Sequence, residues 1–423
     1  MEKETEDRLC DLLARVLEKP VAPCRIQAPQ DDDFQLTRGF PGLQSWQDFY
    51  DRERSEAQAL VAELMGHPPE RQVLIVQNSA RFHTWGVYSR LLDRSWTESV
   101  QSFSTAEHLA RLALLLSDQL DASFYRTEAI EDLRARAWAY IGNVRRQRSD
   151  LSGADEAFRT AAEHLRLGTG DPIEKAILLD LKASLKRAQR NFGRAMSLLK
   201  RAHTIFLTAG DRHRAGRALI SMATILHDSG SPEQGIPVLY QALELIDPLQ
   251  EPRLLICVWH NLIDDLAEAG RAMEARRLFR EARTLYRRFP EAVTQNRRTW
   301  VAGKIARGLG QDKEAESLFI EARASFIQED IPYEMALVSL DLAALYAKQG
   351  QTEEVKRLAA EIVSVFASRQ VHREALAALA FWKQAAETET ARRERIADVV
   401  ADVASFLKRA RYDPELRFAP SAS

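Results

Sequence analysis

Apolar residues in the second half of the chain recur at positions i, i+3, i+4 and i+7, with polar and charged residues between them. This spacing places one apolar stripe along a helix that buries a single face. One type of segment has its stripe at Leu219, Met222, Ala223 and Leu226. A second type has its stripe at Ala275, Leu278, Phe279 and Ala282. The pattern predicts amphipathic helices of two alternating types.

Four glycines, Gly230, Gly270, Gly310 and Gly350, stand 40 residues apart and separate the two helix types. Five residues after each glycine comes a small or short apolar residue, and another follows seven residues later. The seven-residue pairs, two of them upstream of the glycines, are Ala154 with Ala161, Ala195 with Ala202, Gly235 with Ala242, Ala275 with Ala282, Ala315 with Ala322, and Val355 with Ile362. A period of about 20 to 50 residues indicates a solenoid, in which each unit buries its apolar face against its neighbours.

Each repeated glycine lies where the first helix of a pair is predicted to end. Helices commonly end on a left-handed residue, and glycine adopts that conformation without a Cβ clash. The small residues that follow allow two helices to approach closely at their crossing. Ser149 and Arg190 hold the equivalent upstream positions, so we expect the turn to tolerate other residues.

The stretch from 136 to 166 resembles a tetratricopeptide repeat. Its signature positions are Trp138, Ile141, Gly142, Ala154, Phe158 and Ala161. The unit at 259–282 matches again, through Trp259, Leu262, Gly270, Ala275, Phe279 and Ala282. HEAT and armadillo repeats have similar periods but lack this signature, so the tetratricopeptide interpretation is favoured. The resemblance implies an all-α, right-handed α-solenoid of about six or seven helix-turn-helix repeats with helical caps, similar to the arrays of bacterial regulatory proteins.

Composition and breaker residues suggest five segments. Residues 1–69 are predicted to be an N-terminal helical segment with a Pro-rich linker, and residues 70–122 a divergent repeat-like helix pair. The first helix of that pair is predicted to run through Leu74, Val76, Phe82, Trp85 and Tyr88. The regular array is expected at 123–370, C-terminal capping helices at 371–411, and a disordered tail at 412–423.

The charge balance argues against an overall field for nucleic acid, because 59 basic and 61 acidic residues give a net charge of −2. No apolar run reaches the roughly 18 residues of a membrane-spanning helix, and the N-terminus lacks the features of a secretory signal. Three cysteines suggest no disulfide framework. We therefore expect a cytoplasmic protein with no membrane association.

No phosphate loop, zinc helix or nucleophile elbow occurs in the sequence. The nine histidines are scattered, without the spacing of metal ligands. Cys257 is interpreted as a small buried hydrophobic residue. We therefore expect a non-enzymatic protein with no cofactor and no metal.

In tetratricopeptide arrays the first helix of each pair lines a concave groove, so the resemblance implies which residues face it. The ten main candidates are Arg136, Asn143, Arg146, Arg187, Arg217, His227, Arg297, Trp300, Lys304 and Arg307. Four further groove positions are Ser184, Thr224, His260 and Asp264. Seven of these fourteen residues are Arg or Lys. Trp300 could equally cover the neighbouring unit.

A basic groove suits an acidic or carboxylate-bearing segment, because arginine pairs bidentately with carboxylates. The resemblance also implies that Asn143 could hold an extended peptide backbone. We therefore expect a protein- or peptide-binding scaffold or regulatory adaptor. Two alternatives remain open: a nucleic-acid-associated regulator that uses the basic groove, with nucleic acid contacted only indirectly, and an enzyme with its site in the divergent region 20–100.

Overall fold

A computed structural model describes residues 43–99, 102–148, 150–249, 251–329 and 331–368, together with Val400 and Val403. Within these ranges every regular element is helical and there is no strand, so the all-α prediction is confirmed. The predictions for residues 1–42, for most of the capping helices and for the tail at 412–423 lie outside the described residues. Among the helices that are described, none combines the length and the hydropathy needed to cross a bilayer.

The described chain divides into two compact units, an N-terminal unit that ends at Ala218 and a C-terminal unit that begins at Leu219. The N-terminal unit contains α1 Leu43–Met65, α2 Pro69–Asn78, α3 Trp85–Glu98, α4 Phe103–Ser117, α5 Ala122–Tyr125, α6 Thr127–Gln147, α7 Leu151–Leu167, α8 Pro172–Ala188 and α9 Phe192–Thr208. The boundary falls inside α10, Arg212–Asp228. The C-terminal unit continues with α11 Pro232–Leu245, α12 Pro252–Glu268, α13 Ala272–Glu281, α14 Arg283–Arg288, α15 Ala292–Gly308, α16 Asp312–Gln328, α17 Pro332–Gln349 and α18 Thr352–Ser368.

The repeated glycines form the turn inside each helix pair, as the sequence predicts. Gly230, Gly270, Gly310 and Gly350 have φ angles of 81°, 79°, 72° and 77°. At the second of these turns the Arg271 amide donates to the carbonyl of Leu266 at 2.9 Å, which closes the end of α12. Arg190 adopts the same left-handed region with φ 58°, so this turn does accept a residue other than glycine. Ser149 lies outside the described residues.

Several apolar signature residues lie in the core of each unit, whereas Trp138 and Phe279 are only partly buried. Phe158 and Ala154 are fully buried in the N-terminal unit, and Trp259 and Phe319 are fully buried in the C-terminal unit. Gly303 holds the repeat position of Gly142, twelve residues before the small residue of the following helix. A Cβ at Gly303 would lie 2.6 Å from the Phe319 ring. The small residue therefore lets the aromatic ring pack against the helix backbone.

Val400 and Val403 are both buried against the core formed by α16, α17 and α18. They are the described residues of the predicted capping segment 371–411. Their burial is what a segment that covers the end of the stack requires, and the cap itself stays a prediction.

Two expectations about local structure were wrong. The helix predicted through Leu74 and Tyr88 is interrupted after α2 by extended Ser79 and a short 3-10 turn, and α3 starts anew at Trp85. The Thr84 side chain caps this second start by accepting a hydrogen bond from the Val87 amide at 3.2 Å, which satisfies an amide the helix leaves unpaired. Cys257 is exposed on α12 instead of buried.

Candidate functional site

The C-terminal unit contains a pocket of about 200 Å³ formed by helices α10, α12, α15 and α17. These are the first helices of successive pairs, as the groove prediction requires. Seven predicted groove residues lie in its lining: Thr224, His227, His260, Asp264, Arg297, Trp300 and Lys304. The repeat register therefore brings together side chains that lie far apart in the sequence.

The pocket also contains residues that the sequence analysis did not select. They are Asp228, Asn261, Asp265, Glu334 and Leu337, with Ala223 and Val301 between the polar groups. Most of them are immediate neighbours of selected positions, such as Asn261 beside His260. The resemblance indicates about one groove residue per helical turn. The wall of the pocket also exposes the residues next to those positions.

A buried ion cluster lies at one side of the pocket. The Lys304 side chain is 3% exposed, and its Nζ lies 2.6 Å from Asp264 Oδ1 and 2.8 Å from Glu268 Oε1. Burial alone would lower the pKa of the Lys304 ammonium, but the two carboxylates outweigh burial and hold that pKa above its usual value. The ammonium also lies 4.6 Å from the centre of the Trp300 ring. Lys304 is therefore a fixed charge that ties α15 to α12.

The two histidines of the pocket have different partners. His227 Nδ1 lies 2.6 Å from Asp265 Oδ1, and burial raises the pKa of Asp265 although His227 opposes the shift. His260 Nδ1 lies 2.9 Å from the hydroxyl of Tyr286, and burial lowers the pKa of His260 to about 4. His260 is therefore neutral near pH 7, and its Nδ1 can accept a hydrogen bond from the Tyr286 hydroxyl.

Trp300 both lines the pocket and covers the neighbouring helical repeat. Its Nε1 donates to Asp341 Oδ2 at 2.7 Å, and its ring packs edge-on against Phe326. Arg307 donates to the other oxygen of Asp341 at 2.6 Å. The indole is therefore held in one orientation by a charged partner on α17.

Arg297 is the more accessible cation of the pocket. Its side chain is 45% exposed, whereas its partner Glu334, 3.2 Å away, is 3% exposed. A buried carboxylate thus holds one nitrogen of the guanidinium at the pocket wall. The arginine carries five N–H donors, so the exposed edge can bind a further acceptor.

The groove residues of the N-terminal unit are also engaged by neighbours. Arg136 donates through Nε to Glu174 Oε2 at 3.1 Å. Asn143 is 3% exposed, and its Oδ1 accepts from Arg146 at 2.9 Å. The amide expected to hold a peptide backbone therefore already has its oxygen occupied. Arg187 lies on α8.

Carboxylates accompany most of the groove cations. Lys304, Arg297 and Arg307 each pair with acidic residues of adjacent helices. The excess of basic residues among the fourteen predicted positions is therefore offset by Asp264 within that set and by Glu268, Glu334 and Asp341 outside it. The groove offers individual hydrogen-bond donors in place of a uniform positive field.

His227, Asp264 and Glu268 place possible metal-ligand atoms within 4.8 Å of one another. Lys304 bonds both carboxylates, so its ammonium already supplies the positive charge between them. A divalent cation would have to displace this buried lysine. The donor set is therefore better suited to its own lysine than to a metal.

In the region of the enzymatic alternative, the side chain of His83 has a structural role. A ring nitrogen of His83 lies 2.7 Å from the carbonyl of Val76 at the end of α2. The main-chain carbonyl of His67 accepts from the Gln72 side chain at 2.7 Å, a contact that does not involve the imidazole. Both contacts stabilise the ends of α2.

Comparison with protein-family models and with curated proteins gives no match. Two solved structures are similar in fold. One is a Rap protein complexed with competence and sporulation factor, with 14% identity, a TM-score of 0.55, and coverage of 77% of this chain and 87% of that one. The other is aspartyl phosphate phosphatase F from Bacillus subtilis, with 13% identity, a TM-score of 0.52, and coverage of 85% of this chain and 88% of that one. The repeat signature, the helix pairs and these similarities together show that the chain has a tetratricopeptide-like helical repeat fold.

Proposed function

We propose that this protein is a non-enzymatic regulatory adaptor that binds a short peptide or an extended protein segment in its helical groove. The observation that carries the proposal is the pocket on α10, α12, α15 and α17, where polar side chains from four helices converge. One structurally similar protein, the Rap protein, is complexed with a separate factor. A helical stack of this kind can therefore carry a regulatory molecule.

The ligand we propose bears a carboxylate, which Arg297 binds. The guanidinium is nearly half exposed and is positioned by the buried carboxylate of Glu334. Arginine forms charge-assisted, often bidentate bonds with carboxylates, and these bonds are stronger than neutral ones. Asn261 lies in the same pocket and could bond a peptide backbone with its amide group.

The ion cluster of Lys304, Asp264 and Glu268 keeps the pocket wall rigid, and a rigid wall favours binding. Lys304, Asp264 and Glu268 hold α12 against α15, and Trp300 is fixed by Asp341. A ligand that meets a pre-arranged surface loses less free energy to side-chain ordering. The assignments to the cytoplasm and to a bacterial regulatory system remain predictions, as does the nucleic-acid alternative.

The test is affinity selection of a synthetic random pentapeptide library with the full chain, read by mass spectrometry. We expect Arg297→Gln to reduce the recovery of acidic peptides by about tenfold or more, since a charged hydrogen bond contributes about 1.5–3 kcal/mol. Arg201→Gln is the matched control, because Arg201 is exposed on the second helix α9. Equal recovery by wild type and Arg297→Gln, with both folded, would contradict the role of this pocket.

A further inference from the structure

A row of arginines lies on the second helix of one repeat in the C-terminal unit. This helix consists of α13, Ala272–Glu281, and α14, Arg283–Arg288. Residues 271–288 include seven arginines, two glutamates and no lysine. Residues at positions i, i+4, i+7 and i+11 share one face of a helix. Four arginines have this spacing and form the arginine row: Arg276, Arg280, Arg283 and Arg287.

The helix continues across the junction between α13 and α14. Ala282, at the junction, has helical dihedral angles, with φ −69° and ψ −5°. Its amide donates to the carbonyl of Leu278 at 2.8 Å, and its carbonyl accepts from the Tyr286 amide at 2.9 Å. Both are the hydrogen bonds of an α-helix. The arginine row therefore spans about 16 Å, at a rise of about 1.5 Å per residue.

The arginine row is exposed and has no partner within the described part of the C-terminal unit. All four residues are solvent-exposed. Their side chains have no hydrogen bond, ion pair or ring contact there. The cations near the pocket differ, because Arg297, Lys304 and Arg307 each pair with a carboxylate. Like charges three or four residues apart destabilise a helix, so an external anion would relieve this repulsion.

The arginine row belongs to this one repeat and is not required by the packing of the array. The equivalent positions of α9, 80 residues earlier, hold Met196, Lys200, His203 and Leu207. Those of α16, 40 residues later, hold Glu316, Ile320, Arg323 and Ile327. A second helix therefore forms with quite different residues on this face.

The chemistry of the exposed face suits phosphate groups. Between Arg276 and Arg287 every exposed position is an arginine or Thr284. The centre of a protein–protein interface is more apolar than its rim, and a helix that lies on a membrane buries apolar side chains. Arginine and threonine side chains both donate to the phosphates of nucleic acid. No exposed aromatic residue lies in the row, so the bases of a single strand have no ring on which to stack.

We propose that the arginine row binds the phosphate backbone of a nucleic-acid duplex, without reading its sequence. A duplex carries about one negative charge per 1.7 Å of its axis, so about ten phosphates lie along a length of about 16 Å. Each arginine can bond a phosphate through two of its N–H groups. The row lies on a second helix, whereas first helices line the pocket. Duplex binding is therefore a further function, which does not depend on peptide binding.

The test is fluorescence anisotropy of a short labelled DNA duplex of mixed sequence, titrated with the full chain at several NaCl concentrations. Each phosphate contact contributes about −0.9 to the slope of log K against log salt, so four contacts predict a slope of about −3.6. Binding should then weaken about a hundredfold between about 50 and 200 mM NaCl. Arg280→Gln with Arg283→Gln should halve the slope, to about −1.8, because two contacts remain. Arg280→Lys with Arg283→Lys should keep most of it, because lysine retains the charge.

Lys200→Gln with Arg201→Gln is the control and should leave the slope unchanged. Both residues are exposed on the second helix α9, and the change in net charge is the same. Circular dichroism confirms that each variant is folded.

Three results would overturn the inference. The first is the absence of duplex binding at about 50 mM NaCl, where weak phosphate contacts are strongest. The second is an equal slope for the wild type and for Arg280→Gln with Arg283→Gln. The third is tighter, row-dependent binding of a single strand, of polyglutamate or of anionic phospholipid vesicles, which would assign the row to that partner.

Discussion

Replacement of Lys304 by methionine tests whether the buried ion cluster holds the pocket together. The substitution keeps an unbranched side chain as far as Cε but removes the ammonium that lies 2.6 Å from Asp264 and 2.8 Å from Glu268. Removing one partner of a buried ion pair costs about 3–5 kcal/mol, because a charge stays behind without compensation. The side chains of Asp264 and Glu268 keep 17% and 18% exposure. We therefore expect a loss near the lower end, about 3 kcal/mol.

The loss should depend on pH in a direction that follows from the charges. In the wild type, Lys304 outweighs burial and lowers the pKa of Asp264. That stabilisation is present above the unfolded pKa of the carboxyl and disappears as the pH falls through the folded pKa. In the variant, burial without the lysine raises the pKa of the same carboxyl. Folding then favours the protonated form, and stability falls as the pH rises through the carboxylate range.

The difference between wild type and Lys304→Met should therefore be largest near pH 7 and decrease towards pH 4 as the carboxyl of the variant is protonated. It should become small only well below the unfolded pKa of aspartate, about 3.9, where the wild-type carboxyl is protonated too. Urea unfolding followed by circular dichroism across this range measures it, and urea leaves the charges unscreened. Lys313→Met is the control, because Lys313 is exposed on α16. A loss of the same size at every pH would show that packing, and not uncompensated charge, causes the destabilisation.

Two further substitutions test the packing of each unit. Gly303→Ala should lower the free energy of unfolding by about 1–3 kcal/mol through overpacking, because its Cβ would lie 2.6 Å from the Phe319 ring. Gly193→Ala is the control and should lose none, because nothing lies within 4 Å of a Cβ at that position. Urea midpoints compare the two, and equal midpoints would refute the contact. Tyr125→Phe removes the hydroxyl that donates to Glu53 Oε1. We expect the free energy of unfolding to fall by about 1–3 kcal/mol, most at neutral pH, where the Glu53 carboxylate is charged. Amide hydrogen exchange in α1 should become faster, and unchanged exchange there would refute this contact.

The sequence was sufficient to predict the repeat, because helix periodicity, small residues at crossings and glycine turns are local signals. The left-handed glycines and the buried Trp259 and Phe319 follow directly from that register. The break between α2 and α3 was not predictable from apolar spacing, because Leu74, Val76 and Phe82 fit one helix as well as two. The capping contact of Thr84 becomes visible only when the turn before it is formed.

The same register predicted which first-helix positions line the pocket but not how their charges combine. Lys304 and Asp264 lie 40 residues apart, and Arg297 and Glu334 lie 37 apart. Such pairs form between neighbouring helices, and long flexible side chains select their partners only after the backbones are packed. The sequence by itself therefore determined the architecture and the helix face that lines the pocket. The tertiary structure decided the electrostatics of that face, because charge pairing depends on distances between residues far apart in the chain.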